Sequence, residues 1–392
     1  MDSILPSTNK KSFDVIVIGV GSMGSSACYF LAQRGYSVLG LEQFSISHEY
    51  GSHAGQSRII RKAYFEDPGY VPLLNRAYEN WKTLEEETGN RIYYRTGLVY
   101  FGDRGSLLMQ GVKQSAALYD IPLENLAPSL ATKWFPPFKV PGDFEILFEY
   151  DAGFVTPEKG IQLYAKQAIK NGAEIHTTEK VVKWNKEDDH IEVISDKNKY
   201  YCKKLIITAG AWAGKMIPGM NHKIRITRQF VAWIKTRNPS EFAFGNFPCW
   251  MIADDIKPGA YYGFPILPAD KFGEPAGLKL AHHYPGDITE PNHVNRQKTE
   301  KDEENVKYAL NKYLPGAFDS FLSSKICLYA NTPDENFVID KLPRYENHVT
   351  IACGFSGHGF KFASVVGEIL ADLAIEGKTK EPIEFLNAKR LQ

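Results

Sequence analysis

The first strong pattern along the chain is a near-continuous apolar run of strand length at residues 13–18. It passes directly into Gly19-Val20-Gly21-Ser22-Met23-Gly24 and then into apolar positions at helical spacing as far as Arg34. Gly35 stops that helix, and residues 37–41 predict a second strand ending at Glu42, so residues 13–42 form one strand–helix–strand unit. A helix after Asp67-Pro68 places Val71, Leu74, Tyr78, Trp81 and Leu84 on one face and closes at Gly89. Residues 91–148 predict only short β pieces and turns. From Asp151 the α/β texture returns, with Pro157 at the first turn of another helix. Strand patterns follow at 174–176, 181–184, 191–194 and 200–207, the last running into Thr208-Ala209-Gly210.

Between residues 224 and 280 the pattern changes. Strands at 225–234, 249–252, 260–264 and 277–282 alternate with Pro/Gly turns and predict a sheet-dominated second domain. A charged helix at 299–313 leads back through strands at 326–330 and 349–352 to a last helix at 359–377. Internal repeats and low-complexity segments are absent from the sequence.

Composition narrows the function classes. A chain of 392 residues with 43% hydrophobic content holds two or three domains' worth of core. Lys plus Arg equals Asp plus Glu at 46 each, so no net field favours nucleic acid or membrane headgroups. The apolar runs fall far short of the ~20 residues of a membrane span. The first twelve residues are polar, and the next apolar stretch runs into the glycines instead of a cleavage site, so the expectation is a cytoplasmic protein. Five cysteines (Cys28, Cys202, Cys249, Cys327, Cys353) are widely spaced with no pair at metal or redox spacing; reduced thiols and no metal are expected.

A glycine string alone carries little information, but its place between a strand and a helix does. Gly19 permits the tight turn, Gly21 lets backbone approach a pyrophosphate, and Gly24 lets the helix pack on the strand. The N–H groups of Ser22 and Met23 at the helix start face the anion. Glu42, eighteen residues after Gly24, ends the second strand where an acid accepts ribose hydroxyls and repels a 2′-phosphate, which argues against NADP. The Rossmann-type elements are interrupted and resume near Asp151 and Val349, which favours FAD over NAD.

With these landmarks the chain resembles the FAD amine oxidases of the D-amino acid oxidase-like superfamily, and within them the monomeric sarcosine oxidase and N-methyltryptophan oxidase family. The resemblance covers nearly the whole chain. It rests on residues 13–24 with Glu42, on Gly51-Ser52-His53 followed by Ser57-Arg58-Ile59-Ile60-Arg61, and on Tyr261-Tyr262-Gly263-Phe264-Pro265. Gly277-Leu278-Lys279-Leu280, Cys327-Leu328-Tyr329 and Gly354-Phe355-Ser356-Gly357-His358-Gly359-Phe360-Lys361 complete it. It implies a mixed α/β fold in which a Rossmann-type FAD-binding domain (1–90, 150–222, 321–392) is interleaved with a sheet-dominated substrate domain (91–149, 223–320).

The resemblance also assigns roles. It implies FAD held covalently as an 8α-S-cysteinyl adduct on Cys327, with Lys325 two residues away as a polarising neighbour. Ser52, Ser57 and the turn at Gly357 and Gly359 join the cofactor set. Arg58 would lie along the flavin, and Arg61 and Lys361 would hold a substrate carboxylate, Arg61 through its planar fork. His358, His283, Tyr262, Tyr329 and Met251 would line the substrate cavity. Lys279 would promote the reaction of reduced flavin with O2 by its fixed positive charge. Taken without the resemblance, the Arg58–Lys62 string reads as a solvated turn and Lys279 as the exposed face of a strand.

The implied activity is oxidation of a small secondary, N-methyl amino acid such as sarcosine, with an imine hydrolysed to aldehyde plus amine and O2 reduced to H2O2, by a monomer. N-methyltryptophan, pipecolate and fructosyl amino acids remain alternatives, as does a non-catalytic NAD-binding protein; an FAD dehydrogenase is disfavoured by Lys279. Three departures touch the substrate side: Ser57 stands where threonine is common, Cys353 replaces alanine, and Trp250 precedes the expected cavity residue Met251. On a strand Trp250 and Met251 face opposite ways, and the sequence leaves open which faces the cavity.

Overall fold

Ser12–Ile18 lies at the centre of the first sheet, hydrogen-bonded in parallel to Val38–Leu41 on one side and to Lys199–Ile207 on the other. A strand so placed is covered on both faces, and its side chains alternate between two cores. Val15 and Val17 enter one, Ile16 and Ile18 the other, and none exceeds 4% exposure. The computed structural model describes residues 11–345 and 348–391. Residues 1–10, part of the polar stretch from which no export is expected, lie outside the described residues.

The first sheet runs Val181–Lys186, Ile191–Ser195, Lys199–Ile207, Ser12–Ile18, Val38–Leu41 and Glu174–His176. Lys199–Ile207 is shared: its first half pairs antiparallel with Ile191–Ser195, and its last residues pair in parallel with Val349–Cys353. Helices Ser22–Gln33, Pro157–Lys170 and Ala363–Ile375 pack together over one face of this sheet. The first and last come close because glycine allows it. Ser26 Oγ donates to Ser364 O at 3.2 Å, and a Cβ at Gly367 would stand 2.1 Å from Ser26 Oγ.

A second sheet carries the order Phe318–Asn331, Arg225–Thr236, Leu278–His283, Ala260–Phe264, Cys249–Ala253, Leu98–Gly102, Glu145–Glu149, Glu124–Asn125. Phe318–Asn331 is a continuous strand that crosses residue 321, and it brings Cys327 opposite Gln229. A three-stranded sheet of Arg58–Ile60, Gly153–Val155 and Tyr93–Arg95 joins the two halves. It sets Arg58 beside Val155, immediately ahead of the Pro157–Lys170 helix.

The region 91–148 departs from the expectation of strands and turns alone, because it also holds helices Leu107–Leu118 and Pro128–Trp134. Their pattern is masked. Leu107 and Leu118 are 84% and 62% exposed, which blurs the apolar stripe, and Gly111, a poor helix former, lies inside the first helix. That glycine lies against the backbone of Phe65, where a Cβ would be 2.3 Å from its oxygen, and Ser115 Oγ donates to Tyr64 O. The helix therefore supports the segment that follows Arg61. At the other end of the chain, the last helix begins as a tight 3₁₀ turn, Phe360–Phe362, before Ala363–Ile375.

Replacing Gly367 by alanine is expected to force the first and last helices apart, costing about 1–3 kcal/mol as in other overpacked cores. Thermal unfolding measures it; an unchanged midpoint would show that the contact is not tight in solution.

Candidate active site

One elongated cleft runs from the glycine turn at the C-terminal end of Ser12–Ile18 to the second sheet, in the crevice where α/β sheets bind ligands. At its first end Gly19, Gly21, Ser22 and Met23 form the wall. Gly19 has φ +89°, and a Cβ there would be 2.6 Å from Thr208 O; a Cβ at Gly24 would be 1.9 Å from Gly19 O. Gly24 thus lies behind the wall as a packing residue, while a Cβ at Gly21 would meet nothing within 4 Å, so backbone is open to the cleft at that point. Among the described residues the helix Ser22–Gln33 has no side-chain cap and no acid in its first turn, and its first residues Ser22 and Met23 line the cleft, so its start is left for an anion. Glu42 is 3% exposed and holds the turn, accepting from Val20 N at 2.9 Å and Phe44 N at 3.0 Å. Burial raises its carboxyl above the usual range.

At the other end, Arg61, Lys361, His358, His283, Tyr262, Tyr329 and Met251 face the same cleft. Met251 is the cavity residue of its pair, because Trp250 turns the other way and packs its ring against Phe138 at 5.8 Å between centroids. The sequence offers no assignment for Glu66, yet it stands among these residues. Arg61 Nη2 donates to both Glu66 oxygens at 2.8 Å, and Arg61 Nη1 donates to Ala63 O at 3.2 Å. Arg61, ahead of His358 and Lys361, lowers the Glu66 carboxyl to about 2 against the opposing effect of burial. Lys361 Nζ donates to His358 O at 2.7 Å and lies 5.2 Å from the Tyr64 ring centroid. Burial first, then Arg61, brings the Lys361 ammonium down to about 7.

Two histidines are neutral at physiological pH. Burial takes His358 down to about 3 and His283 to about 4. His358 Nε2 is 3.0 Å from Glu335 O, an acceptor only, so that nitrogen carries the proton and Nδ1 accepts from Tyr64 OH at 2.5 Å. His283 Nδ1 lies 3.2 Å from Tyr329 OH.

Between the two ends, Cys327 and Arg58 line the cleft beside Ser52 and His53. Arg58 Nη2 donates to Ser52 O, Ala54 O and, at 3.5 Å, to Cys327 Sγ. The basic group on the Cys327 sulfur is Arg58, at 3.5 Å, whereas the Lys325 ammonium pairs with Glu49. Ser57 and Lys279 stand behind the wall. Lys279 is 1% exposed and donates to Gly55 O and Ser57 O at 2.5 Å and to Ser57 Oγ at 3.1 Å. Gly357 and Gly359 close the cleft, packed so tightly that a Cβ would be 2.2 Å from Tyr329 and 2.6 Å from Phe355. Cys353 is buried in the core under the sheet, and all five cysteines are unpaired. Among the described residues no group of three or more His, Cys, Asp or Glu is placed to hold a metal, and no helix is long and apolar enough to cross a membrane.

A family model described as FAD dependent oxidoreductase, DAO, matches residues 14–373. The chain belongs to that family. It is 38% identical over 381 residues to a monomeric sarcosine oxidase of Streptomyces avermitilis, covering 97% of this chain and 98% of the relative. It is 32% identical over 363 residues to an N-methyl-L-tryptophan oxidase of Yersinia pestis, covering 92% and 94%. Among solved structures, NikD, an unusual amino acid oxidase essential for nikkomycin biosynthesis, matches in its open form with TM-score 0.84, 21% identity and coverage of 96% and 97%. L-proline dehydrogenase from P. horikoshii matches with TM-score 0.80, 23% identity and coverage of 97% and 98%. These two structures establish the shared fold.

The family's cofactor is FAD, and the residues present fit it. The uncapped helix start and the bare backbone at Gly21 suit a pyrophosphate, and the cleft continues unbroken from there past Cys327 to the basic residues. Besides Glu66, the sequence assigns no role to His53, whose buried Nε2 has no hydrogen-bond partner among the described residues, or to Tyr64, which orients His358. Both were in plain view as neighbours of the Ser57–Arg61 motif, but only the fold turns their side chains inward.

The Lys361 ammonium sits on the border of protonation, and its charge is present below pH ~7 and lost above it. A simple carboxylate without an amine should therefore bind with a dissociation constant that rises about tenfold per pH unit above pH ~7. Perturbation of the flavin spectrum reads it, and a flat constant between about pH 6 and 8.5 would remove Lys361 from carboxylate binding.

Proposed function

We propose that this FAD-dependent amine oxidase takes a small N-methyl amino acid, sarcosine-like, whose carboxylate is held by Arg61 and Lys361. The observation that carries this reading is the charge set of the cleft. Arg61 and Lys361 converge there with Glu66, among the described residues the one carboxylate paired with Arg61, while His283 and His358 are neutral. The surplus positive charge suits one carboxylate and leaves nothing to hold a second cation, so the amine is accommodated neutral. The relatives named for sarcosine and N-methyl-L-tryptophan support the same substrate class.

Bound FAD would supply the redox chemistry, a two-electron oxidation of the amine to an imine with O2 as final acceptor and H2O2 as product, and water would hydrolyse the imine to aldehyde and amine. The chain's own residues supply orientation and charge. Arg61 exchanges part of its contact with Glu66 for the substrate carboxylate, a competition between two anions for one guanidinium fork. Tyr262, His283, Tyr329 and Met251 exclude water around the reacting carbon and set the size of the N-substituent. Arg58 places positive charge along the cleft, and Lys279 holds a buried ammonium behind it that favours reduction of O2.

Cys327 is the residue suited to an 8α-S-cysteinyl link, since its sulfur faces the cleft against the Arg58 guanidinium. The chain acts as a monomer in the cytoplasm in this reading. A cleft that is complete within one chain supports it, since Arg61, Lys361 and Cys327 all come from the same molecule.

Anaerobic mixing of the yellow holoenzyme with sarcosine, N-methyltryptophan, pipecolate and a fructosyl amino acid is expected to bleach the flavin fastest with sarcosine, and air should restore colour with release of peroxide. Bleaching by pipecolate or a fructosyl amino acid alone would move the substrate to that class. Arg61→Ala should weaken carboxylate substrates by about 2–5 kcal/mol, since it leaves Glu66 buried without its partner as well. Cys327→Ala should leave flavin that acid precipitation releases; flavin that stays with the protein would place the link elsewhere.

A further inference from the structure

Among the described residues, Lys279 and Arg58 are cations held without a direct acidic partner. Each donates to backbone carbonyls of residues 52–57, Lys279 also to Ser57 Oγ and Arg58 also to Cys327 Sγ. The carboxylate nearest this loop is Glu158, in the first turn of the Pro157–Lys170 helix. Its Oε1 accepts from Gly55 N at 2.6 Å and Gln56 N at 3.2 Å. Gly55 is thus gripped from both sides, its amide by Glu158 and its carbonyl by the Lys279 ammonium at 2.5 Å. The loop needs such a grip, since Gly55 and Gln56 take φ +124° and +63°.

We propose that Glu158 is a positioning residue for Lys279: it clamps the amide edge of the 55–57 loop, so that the carbonyl edge stays on the ammonium, and it supplies the negative charge that balances Lys279 and Arg58. Gly55 O shares its peptide group with Gln56 N–H, so the Glu158 carboxylate on that N–H polarises the peptide and strengthens Gly55 O as an acceptor for Lys279. The balance of charges acts in the same direction. Burial, and next Arg58, push the Lys279 ammonium well below its ordinary value, and Glu158 is the leading influence that opposes them. The other groups facing Lys279 are the thiols of Cys327 and Cys249 and the rings of Trp233 and Phe264, the latter 4.3 Å from Nζ. On the Glu158 side the remaining titratable neighbour is His53, which burial holds below its ordinary value.

This inference rests on the oxidase reading, in which Lys279 serves the reaction with O2. Its test follows reoxidation of the reduced holoenzyme by O2 across pH, in wild type and Glu158→Gln. Wild type should lose rate where Lys279 deprotonates. In Glu158→Gln that loss should move down by about one pH unit or more, with rate recovered on the acid side and flavin reduction at saturating substrate changed less than about twofold. Superimposable profiles, or equal slowing of both half-reactions, overturn the proposal.

A second measurement needs no turnover. If Glu158 balances Lys279, the double variant Glu158→Gln/Lys279→Met should lose fewer degrees in Tm than the two single losses added together. Additive losses overturn the proposal. Should Glu158→Gln alone fail to fold, folding of the double variant supports the proposal and its failure to fold counts against it. Lys279→Met alone separates the two readings: reoxidation at wild-type rate removes the oxygen role of Lys279, while the stability cycle still reports whether Glu158 holds it.

Discussion

The burial of three basic side chains around one cleft, with Arg58 half-buried beside them, is the constraint that the rest of the structure serves. Arg61, Lys279 and Lys361 are each at most 6% exposed, and Arg58 is held among carbonyls beside them. An unpaired buried charge costs several kcal/mol, so each must be met by fixed acceptors or by a counter-ion. The chain meets the cost in two ways. Arg61 takes a full carboxylate, Glu66, within five residues of itself. Arg58, Lys279 and Lys361 take backbone carbonyls, from residues 52–57 and from His358, and those carbonyls have to be aimed. The unusual backbone of the 55–57 loop and the glycine turn before Phe360 are the local consequences, since only such turns present several carbonyls to one point.

The larger framework positions these loops. Arg58 and Arg61 lie at and just beyond a strand of the three-stranded sheet, Lys279 and Cys327 lie on neighbours of Arg225–Thr236 in the second sheet, and Lys361 follows the last strand of the first. A cleft built from three sheets is fixed only when all three are docked. That explains why the helix Leu107–Leu118, remote in sequence, packs Gly111 and Ser115 against the Tyr64–Phe65 segment. It braces the stretch of chain between Arg61 and Glu66, so that the pair meets in one geometry.

Much of this was legible in the residue order, and the part that was not has a common cause. The strand–glycine–helix unit reads directly because its alternation and its glycines answer local needs: both faces of Ser12–Ile18 are covered, and Gly24 must touch Gly19. Residues such as Glu42, Cys327 and Lys361 sit in motifs and emerge with them on the cleft wall. Glu66 and Glu158 do not. Each is an ordinary acid on an ordinary segment, and its importance arises from a basic partner or a loop amide that the fold brings to it. Lys325 shows the converse, since it neighbours Cys327 in sequence but pairs with Glu49, and the fold brings Arg58 to the sulfur from 269 positions away. The helix at 107–118 was hidden for a related reason: its glycine answers to Phe65 and not to its own turn.

The two buried lysines show how small differences in surroundings separate their tasks. Lys361 has one strong acceptor, His358 O, and faces the cleft, so its remaining protons are available to a ligand and a bound carboxylate would restore its charge. Lys279 has its hydrogen-bonding capacity taken by Gly55 O, Ser57 O and Ser57 Oγ, and stands behind the cleft wall. An ammonium so enclosed cannot bind substrate directly. In the proposed reading it acts through its field, and a field is useful only if the charge is kept, which makes the groups that hold Lys279 protonated as much a part of the proposed site as the residues that line the cleft. On that reading Lys361 can exchange its charge with each ligand that arrives, whereas Lys279 has to be charged beforehand by the loop and by the carboxylate behind it.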